Sequence, residues 1–383
     1  MENFDVDVVI VGAGFAGAVT ARKLAETGKK VLVFEQRNHI GGNAYDFIND
    51  NSILIHLYGP HIFHTNDQKV YNFLSRFTDW REYKHQVVAS IKGEKMSIPF
   101  NFDVLEKVFE SDSDLLKEKL LEVFKNRKKV FINELLEFDD PDINKIATYI
   151  YENYYFYYST KQWGEHFSSL DNSIFKRVPI YLSKKNYYFE DNWQLIPAAG
   201  YTKLFENILD HDLINVKLKT DGLDFISLKS GKVYLKGELF SGPVIYTGSL
   251  DKLFNYEYGK LKYRTLDFKF ENYNKNHFQN YGVVNYTLDQ DYTRITEYKY
   301  LTGQKLKNKT TIVKEYPREL EKETDIPYYP IPTKESRELY FKYQEKLINY
   351  HNFFCLGRLA EYQYYNMDQV VAKALNLSNK LKD

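Results

Sequence analysis

Three kinds of hydrophobic pattern divide the chain. Short apolar runs rich in β-branched and aromatic residues come early, in the middle and late: Val8-Val9-Ile10-Val11, Val31-Leu32-Val33-Phe34, Val244-Ile245-Tyr246 and Phe353-Phe354-Cys355-Leu356. Runs this short, closed off by glycine or polar residues, predict strands buried on both faces. Residues 214–218 and 231–235 read as further strands. Between about 103 and 158 the apolar positions recur at helical spacing instead (Leu105, Val108, Phe109, Leu115, Leu120, Leu121, Val123, Phe124), which predicts several short helices forming a separate lobe. Alternation takes over in 263–271, 282–288, 293–299 and 310–316, as in an antiparallel sheet, and 85–99 reads as a strand pair turning at Lys92-Gly93. The segment 43–57 is polar and reads as a loop, 70–77 as an amphipathic helix, and Asn366 as the cap of a terminal helix.

The first of these runs belongs to a strand, turn, helix, strand unit with Gly12-Ala13-Gly14-Phe15-Ala16-Gly17 at its turn. Each glycine has a mechanical role there: Gly12 makes the turn, Gly14 lets a pyrophosphate approach the backbone, and Gly17 lets the helix pack on the strand. The helix N-terminus favours a bound anion. Glu35 ends the second strand, about 20 residues on, where an acid accepts hydrogen bonds from a ribose. Gly41-Gly42-Asn43 then adds a second glycine pair where backbone must again pass close to a ligand, a feature an NAD enzyme does not need. FAD is the expected cofactor. The nucleotide-binding domain is expected to draw on early, middle and late segments.

Composition narrows the class. Lys plus Arg and Asp plus Glu both number 52 in 383 residues, so there is no electrostatic footprint for nucleic acid or an anionic membrane. No apolar stretch approaches the about 20 residues of a membrane span, and the first strand begins too early for a signal peptide. A single cysteine, Cys355, excludes an internal disulfide. A cytoplasmic protein is expected. The 34 tyrosines and 27 phenylalanines supply flat faces for stacking on bases and sugars.

Two motifs carry candidate chemistry. Tyr58-Gly59-Pro60-His61-Ile62-Phe63-His64-Thr65 has two histidines three apart, but no Cys, Asp or third His stands at ligand spacing, so no metal is expected. The glycine-proline turn instead delivers an imidazole to the flavin face. The aromatic run Tyr151-Glu152-Asn153-Tyr154-Tyr155-Phe156-Tyr157-Tyr158, followed by Ser159-Thr160-Lys161-Gln162-Trp163-Gly164, exceeds what packing needs and points to a base or sugar pocket.

With Lys176-Arg177-Val178-Pro179, Gly200-Tyr201-Thr202-Lys203, Tyr263-Arg264, Val284-Asn285-Tyr286, Tyr292-Thr293-Arg294-Ile295, Glu315-Tyr316-Pro317, Pro327-Tyr328-Tyr329-Pro330 and Leu356-Gly357-Arg358, these motifs run in order through nearly the whole chain. In this the chain resembles the bacterial UDP-galactopyranose mutases. The resemblance implies an α/β fold: a split Rossmann-type FAD-binding domain (1–84, 196–248, 340–383), a helical lobe (102–172, with a mobile loop to about 180) and an antiparallel β-sheet domain (85–101, 180–195, 249–339). It implies a homodimer, and an isomerase that interconverts the pyranose and furanose forms of a nucleotide-activated sugar without net redox change. In that family N5 of reduced FAD attacks the anomeric carbon, expels UDP and forms an adduct in which the sugar ring opens and recloses.

By the same resemblance, Arg177 and Arg294 clamp the diphosphate and His61 sits near N5. Tyr158 and Trp163 hold the base and shield the sugar, with Tyr154, Thr160, Tyr188, Arg264, Asn285, Tyr328 and Tyr364 as further substrate contacts. Gly41, Gly42, Asn43, His64, Gly357, Arg358, Asn366 and Met367 join Gly12, Gly14, Gly17 and Glu35 around FAD. A polar loop from about 163 to 179 is expected to close as a lid that brings Arg177 onto the diphosphate. The chain departs from the family pattern at Asn366 (Asp is typical), Gln363 (Arg), Leu195 (Gly), Tyr154 (Phe) and Tyr157 (Gly). UDP-N-acetylgalactosamine and a dTDP-6-deoxyhexose therefore stand beside UDP-galactose as substrates. An amine-oxidase-type FAD oxidoreductase and a binding protein that has lost catalysis are the competing classes.

Overall fold

A computed structural model describes residues 5–164, 178–288, 290–322, 324–331 and 333–382. The buried runs form a five-stranded, all-parallel sheet in the order Ile214–Lys217, Val31–Phe34, Val8–Val11, Val244–Tyr246, Phe353–Cys355. Successive side chains face opposite layers. Val8 and Ile10 pack with Leu24, Phe205 and Val371 of the helices Phe15–Ala25, Tyr201–Leu209 and Met367–Lys380, while Val9 packs on the other side with Tyr343 of the helix Lys334–Glu345. The first helix lies so close to its strand that a Cβ on Gly17 would stand 1.9 Å from the Gly12 carbonyl oxygen.

The helical lobe holds Phe102–Phe109, Ser113–Val123, Ile132–Leu136 and Pro141–Ile150 around Leu105, Leu116, Leu120, Ile143 and Ile146. Asp140 caps the last of these by accepting from the amides of Asp142 and Ile143, with Pro141 in the first turn where it costs no hydrogen bond. The chain then runs on without a break through a π-helical turn, Tyr151–Phe156, into Tyr157–Trp163.

The third unit is a seven-stranded sheet in the order Tyr329–Pro330, Tyr263–Tyr273, Thr310–Glu319, Arg294–Glu297, Val283–Tyr286, Val87–Ile91, Glu94–Ile98. It is antiparallel except where Val283–Tyr286 meets Val87–Ile91, which enters from much earlier in the chain. Lys92 and Gly93 both take positive φ in the turn between the last two strands. The segment expected to be a loop contains a hairpin, Asp46–Ile48 with Leu54–His56. Its polarity has two sources: the turn itself, and Asp46, whose buried carboxylate accepts from the Tyr201 and Thr202 amides at 2.6 and 2.7 Å and so caps a distant helix. Among the described residues, no helix is long and apolar enough to cross a membrane.

Candidate active site

A cavity of about 1080 Å³ opens where the three units meet. Of the glycine-bearing loops, Asn43, directly after Gly41-Gly42, reaches the cavity wall. Gly14 starts the helix Phe15–Ala25 without a side-chain cap, so the first-turn amides remain available to an anion. Gly14 faces Gly42: a Cβ on Gly42 would lie 3.1 Å from the Gly14 Cα, and one on Gly14 would lie 3.7 Å from the Gly42 Cα. The Gly41 amide donates to the Ala13 carbonyl at 2.9 Å, which fixes the two loops against each other. Glu35 is buried, and its oxygens accept from the amides of Ala13 and Arg37 at 2.8 and 2.9 Å, each keeping a further lone pair. Arg37 crosses over the Tyr58 ring and donates to the Asn43 side chain, which lines the cavity. Bare backbone on two sides, a helix N-terminus and an acid at the strand end suit a dinucleotide.

The middle of the cavity is set by sheet register. Ala89, Asn285, Arg294, Glu315 and Phe268 stand in one row across five neighbouring strands. The Arg294 Nε lies 2.7 Å from Glu315 Oε2. The contact is ionic rather than a well-aligned hydrogen bond, and the carboxylate itself is fully buried. Burial works against the Arg294 charge, but the Glu315 carboxylate beside it holds it firmly protonated. Its side chain keeps 25% of its exposure and lines the cavity.

His61 and His64 come from the glycine-proline turn and the short strand Phe63–Thr65 that follows it. His61 Nδ1 is 2.8 Å from the Gly59 carbonyl. A carbonyl only accepts, so Nδ1 carries the proton and Nε2 keeps its lone pair. Burial, reinforced by His56, Arg358 and Arg294, pushes the ring's pKa down to about 3, so it is neutral. His56 accepts from the His61 amide and is likewise held at about 3 by burial. His64 stacks on Phe189 and meets Asp191 at 2.9 Å.

The far end is aromatic. The π-helical turn, a feature that often marks functional sites, carries Tyr154 and Tyr155 into the cavity, with Tyr158 and Gln162 further along the helix. Tyr155 donates to the Val178 carbonyl at 2.6 Å. Phe100, Val87 and Tyr188 complete this end. Tyr328, Tyr329 and Tyr364 close another side, where Arg358 lies over the Tyr364 ring and donates to the Tyr365 carbonyl. Asn366 and Met367, at the start of the terminal helix, also line the cavity.

Three residues singled out from the sequence do not line the cavity. Arg264 is buried away from the cavity, donating to the carbonyls of Gln162 and Lys161 at the end of the helix Tyr157–Trp163. Thr160 is exposed and its hydroxyl bonds back to the Phe156 carbonyl. Tyr157, one of the departures from the family pattern, is 50% exposed and does not line the cavity. Gln363 accepts from the Tyr365 hydroxyl, and Leu195 packs in the core of the nucleotide unit. Gly357 turns the chain with positive φ, its amide held by Glu361. Arg177, the lid expected around it and the Trp163 side chain lie outside the described residues. Sequence reasoning missed His85 and Glu315 as cavity residues, and marked Tyr155 only as part of the aromatic run. For Glu315 a signal existed: a carboxylate on the inward side of an alternating strand.

A parallel sheet with bare glycine loops at its strand ends, opening on a cavity with a central arginine and an aromatic end, defines a Rossmann-type nucleotide-cofactor enzyme. Known proteins agree. The family described as UDP-galactopyranose mutase matches residues 153–364, and that of NAD(P)-binding Rossmann-like domains matches residues 10–77. A UDP-galactopyranose mutase of Mycoplasma genitalium is 37% identical over 98% of this chain and 94% of its own. A dTDP-fucopyranose mutase of Escherichia coli is 34% identical over 96% of each. A solved structure of reduced UDP-galactopyranose mutase superposes with a TM-score of 0.75, at 15% identity, over 98% of this chain and 94% of that one. The chain belongs to the UDP-galactopyranose mutase family, flavin-dependent isomerases that act on nucleotide sugars.

Proposed function

We propose that this enzyme interconverts the pyranose and furanose forms of UDP-galactose, with reduced FAD as its cofactor. One observation carries the reading: Arg294 lines the same cavity as Asn43, which follows the second glycine pair, and the aromatic end, and it is held there by its place in the row Asn285, Arg294, Glu315. A glycosyl phosphate cannot open its ring while the nucleotide holds the anomeric carbon, so that bond must break and be remade. When bound, reduced FAD supplies a nitrogen nucleophile for the anomeric carbon.

The protein's contribution is placement and charge. The guanidinium of Arg294, joined by Arg177 on the strength of the resemblance, takes the diphosphate as it leaves and keeps it within reach for return. The aromatic end holds the base flat. Neutral His61 presents Nε2 as a hydrogen-bond acceptor to groups in the cavity.

A second reading, the same ring contraction on a dTDP-6-deoxyhexose or UDP-N-acetylgalactosamine, draws support from the dTDP-fucopyranose relative and from Tyr154 at the base end. Relative kcat/KM of the reduced enzyme on the three sugar nucleotides decides between them. Arg294→Lys keeps the charge but loses the planar fork, so UDP-galactose affinity falls about tenfold or more while FAD content is unchanged. Unaltered affinity would remove Arg294 from the diphosphate site.

A further inference from the structure

Glu315 is fully buried, and among the described residues the cation in contact with it is Arg294. Neither carboxylate oxygen has a well-formed hydrogen bond among the described residues. Among the described residues, the other titratable groups facing it are phenols: Tyr158 from the helix Tyr157–Trp163, Tyr298 at the start of Tyr298–Thr302, and Tyr328 and Tyr329 at the edge strand. Burial pushes all four phenols upward, so they are neutral. His61 and His85, which sense Arg294, are held at about 3 chiefly by burial and are neutral too. Arg358 acts on Tyr329 and His61, and Arg37 on Tyr328. Burial raises the Glu315 carboxyl above the ordinary glutamate range, and Arg294 offsets that only in part.

The pair is thus one buried carboxylate balanced on one guanidinium that also faces the cavity. A diphosphate docking on the cavity side brings a second anion to the same cation. A doubly charged diphosphate arriving beside a fully buried carboxylate, even with Arg177 joining Arg294 as proposed, raises that carboxyl's affinity for a proton, and the diphosphate is the weaker base. We infer that Glu315 takes up a proton from solvent when the diphosphate of a sugar nucleotide docks on Arg294, and returns it when the nucleotide leaves. Protonation frees the full charge of Arg294 for the diphosphate, whose own charge grows as its bond to the sugar breaks. Glu315 is in this sense a positioning residue that switches Arg294 from an internal partner to a ligand-facing one. The inference rests on the proposed diphosphate site.

Isothermal titration of UDP-galactose into the oxidised, FAD-loaded enzyme tests it. This ligand's doubly esterified diphosphate does not titrate near neutrality, and oxidised enzyme does not turn over. Comparing buffers of different ionisation enthalpy gives the protons exchanged. Wild type takes up protons on binding and Glu315→Asp retains the uptake. Glu315→Gln, which mimics the protonated state, binds at least as tightly as wild type with the uptake lost.

Infrared difference spectra of wild type with labelled glutamate provide a second readout: the carbonyl stretch of a neutral carboxylic acid appears on binding. That measurement stands even if Glu315→Gln fails to fold. Binding without proton uptake overturns the inference, as does uptake that persists in Glu315→Gln and so resides on His61 or His85. No binding of UDP-galactose at all overturns the proposed diphosphate site itself.

Discussion

Replacing Gly14 by valine separates cofactor binding from folding. Gly14 has φ −80° and ψ −171°, extended backbone that valine adopts readily, and its Cβ would meet the Gly42 Cα at an ordinary 3.7 Å. The apoprotein should change in stability by no more than about 1 kcal/mol. Each valine methyl, however, reaches about 1.5 Å beyond Cβ, over the bare backbone at the start of the helix where the cofactor's pyrophosphate belongs. Gly17→Ala is the contrasting case. Its Cβ would stand 1.9 Å from the Gly12 carbonyl oxygen, which is backbone and cannot swing aside, so the helix must move off the sheet at a cost of about 3 kcal/mol. Thermal melts with and without added FAD, read beside flavin absorbance per protein, distinguish the two. Added FAD at about 100 times its Kd stabilises wild type by about 2.7 kcal/mol and leaves Gly14→Val unchanged. Gly14→Val is folded and colourless; Gly17→Ala melts early. A Gly14→Val protein that purified with full FAD, or that unfolded as Gly17→Ala does, would refute the placement of the pyrophosphate at Gly14.

His61→Ala should retain FAD and lose most turnover; turnover at the wild-type rate would return His61 to a packing role. Stability should fall in mild acid. His56 and His85 are buried, with pKa values near 3 against an ordinary 6.5, so the unfolded chain binds protons that the folded one excludes, and stability present above about pH 6.5 is lost as pH falls. At pH 5 each accounts for about 2 kcal/mol. Urea unfolding of wild type and His85→Gln at pH 7 and 5 checks this: the variant's acid loss is smaller by about 2 kcal/mol, and an equal loss in both would contradict it.

Much of the nucleotide unit was legible because its signals are local. Buried strands, three glycines at fixed offsets and an acid at a strand end all lie within one unit, and the structure assembles them as read. The middle of the cavity was only half legible. Arg294 and Asn285 could be marked as chemical residues, but that they stand side by side, with Glu315 next in the row, is decided by pairing among strands distant in sequence. Glu315 passed for one more charge in an alternating strand. Arg264 shows a related limit: a matching motif carries the residue type but not the direction, and here its guanidinium turns back to cap a helix. The π-helical turn offset the aromatic run from the regular helical period, which sent Tyr154 and Tyr155 inward and left Tyr157 outside. The hairpin Asp46–Ile48 with Leu54–His56 was hidden because Asp46 serves a helix far along the chain.

The most direct measurement is to incubate the enzyme with UDP-galactopyranose, once oxidised and once after dithionite reduction, and separate the products by chromatography with mass detection. The account predicts a new isomer of identical mass, the furanose, in the reduced sample alone and with no continuing consumption of reductant. A product of lower mass formed by the oxidised enzyme, or no isomer from any of the three sugar nucleotides after reduction, would contradict it.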